Sequence, residues 1–260
     1  MLPQRQRRLD FEGAVNFRDT GGYPARDGRR TRWGRLYRSD SLADLTREDL
    51  TRLDGLGVKT LIDFRLPLER LAKPNRLPPS ASIDAIELGF IPNGTLQMLE
   101  LVKSGGISAA EIEQRVTAQY RLFGIDHSDE YRRVFEVAAA AESYPLLLHC
   151  TSGKDRTGFG IALLLLAVGV PVDVVLEDYE ITNRYRRPVP QLFGPDTPRE
   201  VATILLSAQS KYLEAALDEI DRAFGSFDAY LEKRLGVDDA ARSRLIDLLT
   251  ESDDQAPRNC

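Results

Sequence analysis

The chain has 260 residues, of which 42% are hydrophobic and 29% charged, with a formal net charge of −5. That length holds one α/β domain or two small ones, with enough apolar residues for a real core, and it is read here as one domain over 11–250, with a free arm at 1–10 and a free tail at 251–260. The acidic balance excludes a generally basic surface, so nucleic acid is not an expected partner. Two cysteines, one of them the terminal Cys260, exclude a disulfide framework and suit a reducing, cytoplasmic compartment.

The first residues, MLPQRQRRLDFEG, are basic without a following apolar run, which fits neither a signal peptide nor an anchor; export by a route lacking a signal peptide stays open. Ala14 to Phe17 and Arg35 to Arg38 read as short strands around the turn Thr20-Gly21-Gly22-Tyr23-Pro24. Thr46 and Asp49 form a capping pair opening a helix over Arg47 to Leu56, whose Leu50, Leu53 and Leu56 recur at helical spacing. Val58 to Phe64 then reads as a strand, and this alternation predicts a mostly parallel central sheet flanked by helices. Asp63 and Arg65 at its end are candidate substrate contacts, because ligands of open α/β sheets lie beyond the carboxyl ends of strands. The alternative is an ion pair that orders the loop Leu66-Pro67-Leu68.

Lys73 to Ser80 is a proline-rich linker, Ile83 to Leu88 alternates as a half-buried strand, and Ile91 to Gly106 carries little pattern. Helices are expected over Ser108 to Leu122, with Ser108 and Glu111 as a capping box, and over Asp129 to Ala141, with Asp129 as N-cap. His127 is read as a surface residue, since no second histidine or cysteine joins it at ligand spacing, and no metal or cofactor is expected. Pro171 opens a helix over Val172 to Tyr185, and the cluster Arg184, Arg186, Arg187 that follows is read as solvated surface. Pro188 to Pro195 is a loop, Thr197-Pro198 a helix start, and the remainder amphipathic helices including Lys211 to Phe224 and Ser226 to Leu235. Ile161 to Val170 is the most apolar window and is too short to cross a bilayer.

The chemistry concentrates in Leu146-Leu147-Leu148-His149-Cys150-Thr151-Ser152-Gly153-Lys154-Asp155-Arg156-Thr157-Gly158. It reads as a buried strand, a tight loop and the start of a buried helix. A loop closing onto a helix N-terminus presents unpaired amides and a positive dipole end, an anion site into which Thr151, Ser152 and Gly153 contribute backbone. Such a loop is expected to lower the Cys150 pKa and supply a thiolate nucleophile. Arg156 offers a planar fork for two phosphoryl oxygens, and Thr157 a hydroxyl near the sulfur. His149 is expected to fix the loop through a ring hydrogen bond. Asp155 is either the general acid or a salt-bridge partner that shapes the loop; Asp126 and Asp129 are rival acids. The ATP-type phosphate loop fails here, because Leu148 stands where its first glycine belongs and Asp155 follows Lys154 in place of a hydroxyl.

This string resembles the signature of cysteine-dependent protein phosphatases, in the His-Cys-x-x-Gly-Lys-Asp-Arg-Thr-Gly form of the bacterial protein tyrosine/serine phosphatase family. Val15-Asn16-Phe17-Arg18-Asp19, Leu36-Tyr37-Arg38-Ser39, Asp63-Phe64-Arg65 and Glu177-Asp178-Tyr179 with Asn183 resemble further motifs of that group. The resemblance implies Cys150 as nucleophile, Arg156 as phosphate ligand and Asp155 as acid. It also implies phosphotyrosine, phosphoserine/threonine and phosphoinositide substrates, with Lys154 as an extra cation for inositol phosphates, and C-terminal helices that can lid the pocket. The partners expected are thus a phosphorylated protein or phosphoinositide, met by a monomer without a membrane span. A catalytically silent phosphate-binding module and a sulfurtransferase are the alternative functions.

Overall fold

The computed structural model describes residues 6–187 and 197–252. A five-stranded sheet is built from β1 (Arg18–Asp19), β3 (Leu36–Ser39), β4 (Thr60–Asp63), β5 (Asp84–Glu87) and β6 (Leu146–His149), in the order β1-β3-β6-β4-β5. All neighbours pair in parallel except the edge strand β1, which runs antiparallel to β3. A separate ribbon pairs β2 (Arg29–Thr31) with β7 (Thr250–Ser252). The chain therefore inserts β6, the strand carrying the signature loop, between β3 and β4.

Alternation along each strand divides the core in two. Leu146 and Leu148 of β6, Ile62 of β4 and Leu36 of β3 join the larger apolar cluster, while Leu147, Leu61 and Tyr37 join the smaller one. The smaller cluster is completed by Phe11, Ala14, Phe17, Leu42, Leu45 and Leu53, the last from helix α1 (Arg47–Gly55). Its N-terminus carries the expected capping box between Thr46 and Asp49. The larger cluster is filled by α3 (Thr95–Lys103), α4 (Ala109–Asp126), α5 (Ser128–Ala138), α6 (Asp155–Ala167), α7 (Val172–Ile181), α8 (Arg199–Leu206), α9 (Ser210–Phe224), α10 (Phe227–Lys233) and α11 (Asp239–Leu249). Helix α6 is apolar all round and buried on nearly every face, as a helix at the centre of a two-sided core must be. No described helix is long and apolar enough to cross a membrane.

Several expectations are corrected. Ala14 to Phe17 is not a strand: Phe17 N–H bonds back to the Ala14 carbonyl (3.2 Å), a turn that buries both side chains, and pairing begins only at Arg18. Leu66-Pro67-Leu68 is not a loop but the entry to α2 (Pro67–Ala72), with proline at the start and Glu69 Oε2 accepting from Leu66 N–H at 2.7 Å. The patternless stretch after Ile91 contains α3, and β5 is an edge strand more exposed than half-buried. Asp129 does not cap α5: His127 takes that position, half-buried and stacked on Phe90 with ring centroids 3.9 Å apart. Parts of the expected free arm and tail are held in the fold. Leu9 N–H bonds to the Phe17 carbonyl (3.1 Å), Asp19 N–H to that of Arg7 (2.9 Å), and Glu251 and Ser252 belong to β7. The expected Pro188 to Pro195 loop and Cys260 lie outside the described residues.

Candidate active site

The signature loop leaves the carboxyl end of β6 at Cys150 and enters α6 at Asp155. Its shape is imposed from outside. The Thr151 carbonyl accepts from Ser41 N–H (3.2 Å), the Ser152 carbonyl from Asn16 Nδ2 (3.1 Å) and the Gly153 carbonyl from Arg38 Nη2 (2.7 Å). Within a trans peptide the following N–H points opposite to the carbonyl. Carbonyls turned toward the scaffold therefore turn the next amides, those of Ser152 and Gly153, away from it, which is how a nest for an oxyanion forms, while Lys154 N–H donates to Ser152 Oγ (3.3 Å). Gly153 sits at φ +67°, and a Cβ there would lie 2.5 Å from the Ser39 carbonyl oxygen, so only glycine fits.

The framework behind these bonds is a fully buried ion cluster. Asp178 of α7 accepts from Arg18 Nε (3.1 Å), Arg38 Nη1 (2.6 Å) and Tyr23 Oη (2.8 Å). Burial alone would raise the Asp178 pKa, but Arg18 and Arg38 hold it well below the carboxylate range. Burial, with the charge of Arg38, lowers Arg18 to about 10. Two cations share one carboxylate, and the surplus is spread by Arg38 onto Gly153 and by Arg18 onto the Asp178 carbonyl (2.9 Å) and Thr182 (3.2 Å). The motifs around Asn16, Arg38 and Asp178 thus shape the loop without entering it. Asn183 braces the segment before α9, donating to the Ala208 carbonyl (2.7 Å) and accepting from its N–H (2.8 Å).

Cys150 is buried and free of disulfide. Six positions on, Arg156 lies on the first turn of α6. Burial opposes the Arg156 charge, but Cys150 and Glu69 outweigh it and push the guanidinium pKa above its ordinary value. The Nη1 edge is saturated by the Phe64 carbonyl (2.7 Å), Glu69 Oε2 (2.9 Å) and the Phe90 carbonyl (3.1 Å). Nη2 makes longer bonds, to Glu69 Oε1 (3.2 Å) and Thr151 Oγ1 (3.3 Å). Thr151 Oγ1 in turn donates to Glu69 Oε1. Glu69, held below the ordinary glutamate pKa by Arg156 and Thr151 against the opposing effect of burial, ties α2 to both the arginine and the loop.

Asp155 is one-third exposed. Its Oδ1 accepts from Tyr120 Oη on α4 and lies 3.3 Å from Lys154 Nζ. Lys154 also donates to the Leu205 carbonyl at the end of α8 (2.5 Å). Thr157 is completely buried, and its Oγ1 has no hydrogen-bond partner among the described residues. Ser152 and Thr151 lie exposed at the mouth.

Asp63 and Arg65, expected as substrate contacts, are corrected to supports. They pair at 2.8 Å and are 2% and 1% exposed, and Arg65 spends its remaining donors on Ser41 Oγ, the Lys73 carbonyl and Asn75 Oδ1. A guanidinium so occupied has nothing to offer a ligand. Asp63 also faces His149 Nε2 at 3.3 Å, and His149 and Arg65 keep its pKa far below normal despite burial. The His149 ring is thereby fixed beneath the loop. Neither rival acid joins the site in any described contact: Asp126 accepts from Asn93, and the exposed Asp129 pairs with Arg132 at 3.5 Å. Arg187 anchors on Asp44 (2.7 Å) and the Gly13 carbonyl. Among the described residues no three His, Cys, Asp or Glu side chains are grouped to hold a metal ion.

Glu69 and Tyr120 escape sequence reasoning. For Glu69 a signal existed: Leu66-Pro67-x-Glu69 is a helix entry placed immediately beyond a strand's carboxyl end. For Tyr120, one of two aromatics on α4 and 35 positions from Asp155, there was none.

A short loop thus joins a buried cysteine, at the carboxyl end of a central parallel strand, to an arginine on the first turn of a buried helix, the place where open α/β sheets receive their ligands. The pattern of the Tyrosine phosphatase family matches residues 9–251, and the chain belongs to that family. It is 32% identical over 235 residues to a protein of Cupriavidus necator whose name places it among tyrosine-protein phosphatases, covering 88% of this chain and 85% of that one. It is 29% identical over 275 residues to the triple specificity protein phosphatase PtpB of Mycobacterium tuberculosis, covering 92% and 98%. Among solved structures it is similar to TpbA of P. aeruginosa (18% identity, TM-score 0.31, covering 73% and 90%). It is also similar to the core catalytic domain of the PP-IP phosphatase Siw14 from S. cerevisiae (15% identity, TM-score 0.35, covering 77% and 92%).

Proposed function

We propose that this chain is a phosphatase that releases phosphate from phosphotyrosine, and from phosphoserine/threonine and phosphoinositides, through a phosphocysteine intermediate. The observation that carries this is the turning of three successive loop carbonyls onto the scaffold, in a loop that starts at the buried Cys150 and runs into the helical turn of Arg156. The Cys150 thiolate attacks phosphorus, and the ester oxygen leaves with a proton from Asp155. Asp155 then takes a proton from the water that attacks the phosphocysteine, which frees inorganic phosphate and restores the thiolate. Arg156 holds two equatorial oxygens through its Nε hydrogen and the Nη2 hydrogen that it takes back from Thr151 Oγ1 when substrate enters, and the Thr157 hydroxyl stabilises the departing sulfur. The Asp155 role is supported by its position on the first helical turn, with Oδ1 held and Oδ2 left for the proton. For inositol phosphates, Lys154 would exchange its bond to the Leu205 carbonyl for one to a second phosphate. We take the protein to act as a monomer on a phosphorylated protein or phosphoinositide.

The test is a panel of phosphotyrosine peptide, phosphoserine peptide and phosphoinositide, each run with a Cys150→Ser control and with EDTA. Loss of turnover in the control and indifference to EDTA are expected; normal turnover by Cys150→Ser would overturn the reading. Asp155→Asn should slow poor leaving groups far more than good ones.

A further inference from the structure

We infer that Tyr120, backed by Tyr179, is the positioning residue for the general acid: it holds one oxygen of Asp155 so that the other meets the leaving group. This rests on Asp155 being the acid.

Tyr120 projects from α4, 35 positions before Asp155. It is buried, donates to Asp155 Oδ1, and its hydroxyl lies 2.5 Å from that of Tyr179 on α7. Burial and the facing Asp155 charge raise the pKa values of both phenols well above the ordinary value, so both stay protonated. One proton order then satisfies the chain: Tyr179 donates to Tyr120, and Tyr120 donates to Asp155. The other charged or titratable groups around the carboxylate are Lys154 at 3.3 Å, Arg156, which it charges from the same helical turn, and Arg38 and Tyr212 behind Tyr179. A carboxyl group on the first turn of a helix, at the edge of the pocket, would otherwise sample several rotamers. The phenol pair is packed in the core, with Tyr120 stacked on Phe123 and tilted on Tyr212, so it gives Asp155 a rigid stop.

The donor also stabilises the charged carboxylate, which sets the sign of the test. In Tyr120→Phe the carboxylate loses that donor, the protonated acid survives to higher pH, and the alkaline limb of kcat/KM moves up by about half to one unit. Loss of positioning slows an alkyl phosphate about tenfold while p-nitrophenyl phosphate, whose leaving group needs little protonation, slows by less than about threefold. Tyr179→Phe, which leaves the Tyr120 to Asp155 bond in place, moves both quantities the same way by less. Adding Tyr120→Phe to Asp155→Asn costs nothing further, because the two act on one proton. An unmoved limb with equal slowing of both esters in Tyr120→Phe would reduce Tyr120 to packing and overturn the inference. Equal slowing of both esters by Asp155→Asn alone would instead overturn the acid assignment on which it stands. Should Tyr120→Phe fold poorly, the Tyr179→Phe profile decides in the same terms.

Discussion

Glu69 grips the guanidinium of Arg156 with both carboxylate oxygens, at 2.9 and 3.2 Å, across 87 positions of sequence. With the Phe64 and Phe90 carbonyls it engages Nη1 and Nη2 of the fork and so fixes the plane of the guanidinium. Glu69→Gln keeps the shape and removes the charge. The expected result is a fall in kcat/KM of about tenfold to a hundredfold, the worth of a charge-assisted pair, read by steady-state kinetics on an aryl phosphate. An unchanged kcat/KM would show that the two carbonyls alone orient the arginine.

Gly153→Ala tests the loop's shape. Its Cβ meets the Ser39 carbonyl oxygen at 2.5 Å and Asn16 Nδ2 at 2.8 Å, at a φ that disfavours any side chain. The loop must open, so phosphate and vanadate inhibition and turnover should all weaken by more than about tenfold. The core beneath the loop is untouched, and Tm should fall by only a few degrees.

Asp178→Asn tests the buried ion cluster. It leaves Arg18 and Arg38 facing one another without a counter-charge at 1% and 0% exposure. Removing one partner of a buried pair costs about 3–5 kcal/mol, readable as a lower denaturant midpoint. Activity should fall in the variant that still folds, because Arg38 is also the donor to the Gly153 carbonyl.

Asp40 gives a pH signature. Burial pushes its pKa up to about 6, against the opposing Asn16 N–H and Arg187. The folded state then binds the proton more tightly than the unfolded chain, so the strain of the charged carboxylate is fully present above pH 6 and vanishes below about pH 4. Asp40→Asn should therefore stabilise the protein relative to wild type by about 2 kcal/mol more at pH 7.5 than at pH 4, measured by denaturant melts. Asp63 and Asp178 have the opposite sign. Their depressed pKa values contribute stability above about pH 4 that is lost as the pH falls through the folded values, which should set the acid limit of the fold.

The strand, loop and buried helix of the signature, the capping boxes at Thr46 and Ser108 and the parallel strands were legible in the chain because each is a local pattern, decided by residues within a turn or two of one another. Cys150 and Arg156 belong to one short strand-loop-helix segment, so their placement at its two ends follows from local sequence. What surrounds them was decided by strand order. Placing β6 between β3 and β4 brings Arg38 under the loop from one side and turns Asp63 and Arg65 inward on the other, so a pair that looked poised for substrate became its support. The same packing carries Glu69 to Arg156, Tyr120 to Asp155, and Asp178 between two arginines 140 and 160 positions away. Contacts over such separations depend on which faces the assembled core presents, and no periodicity within a single segment encodes that.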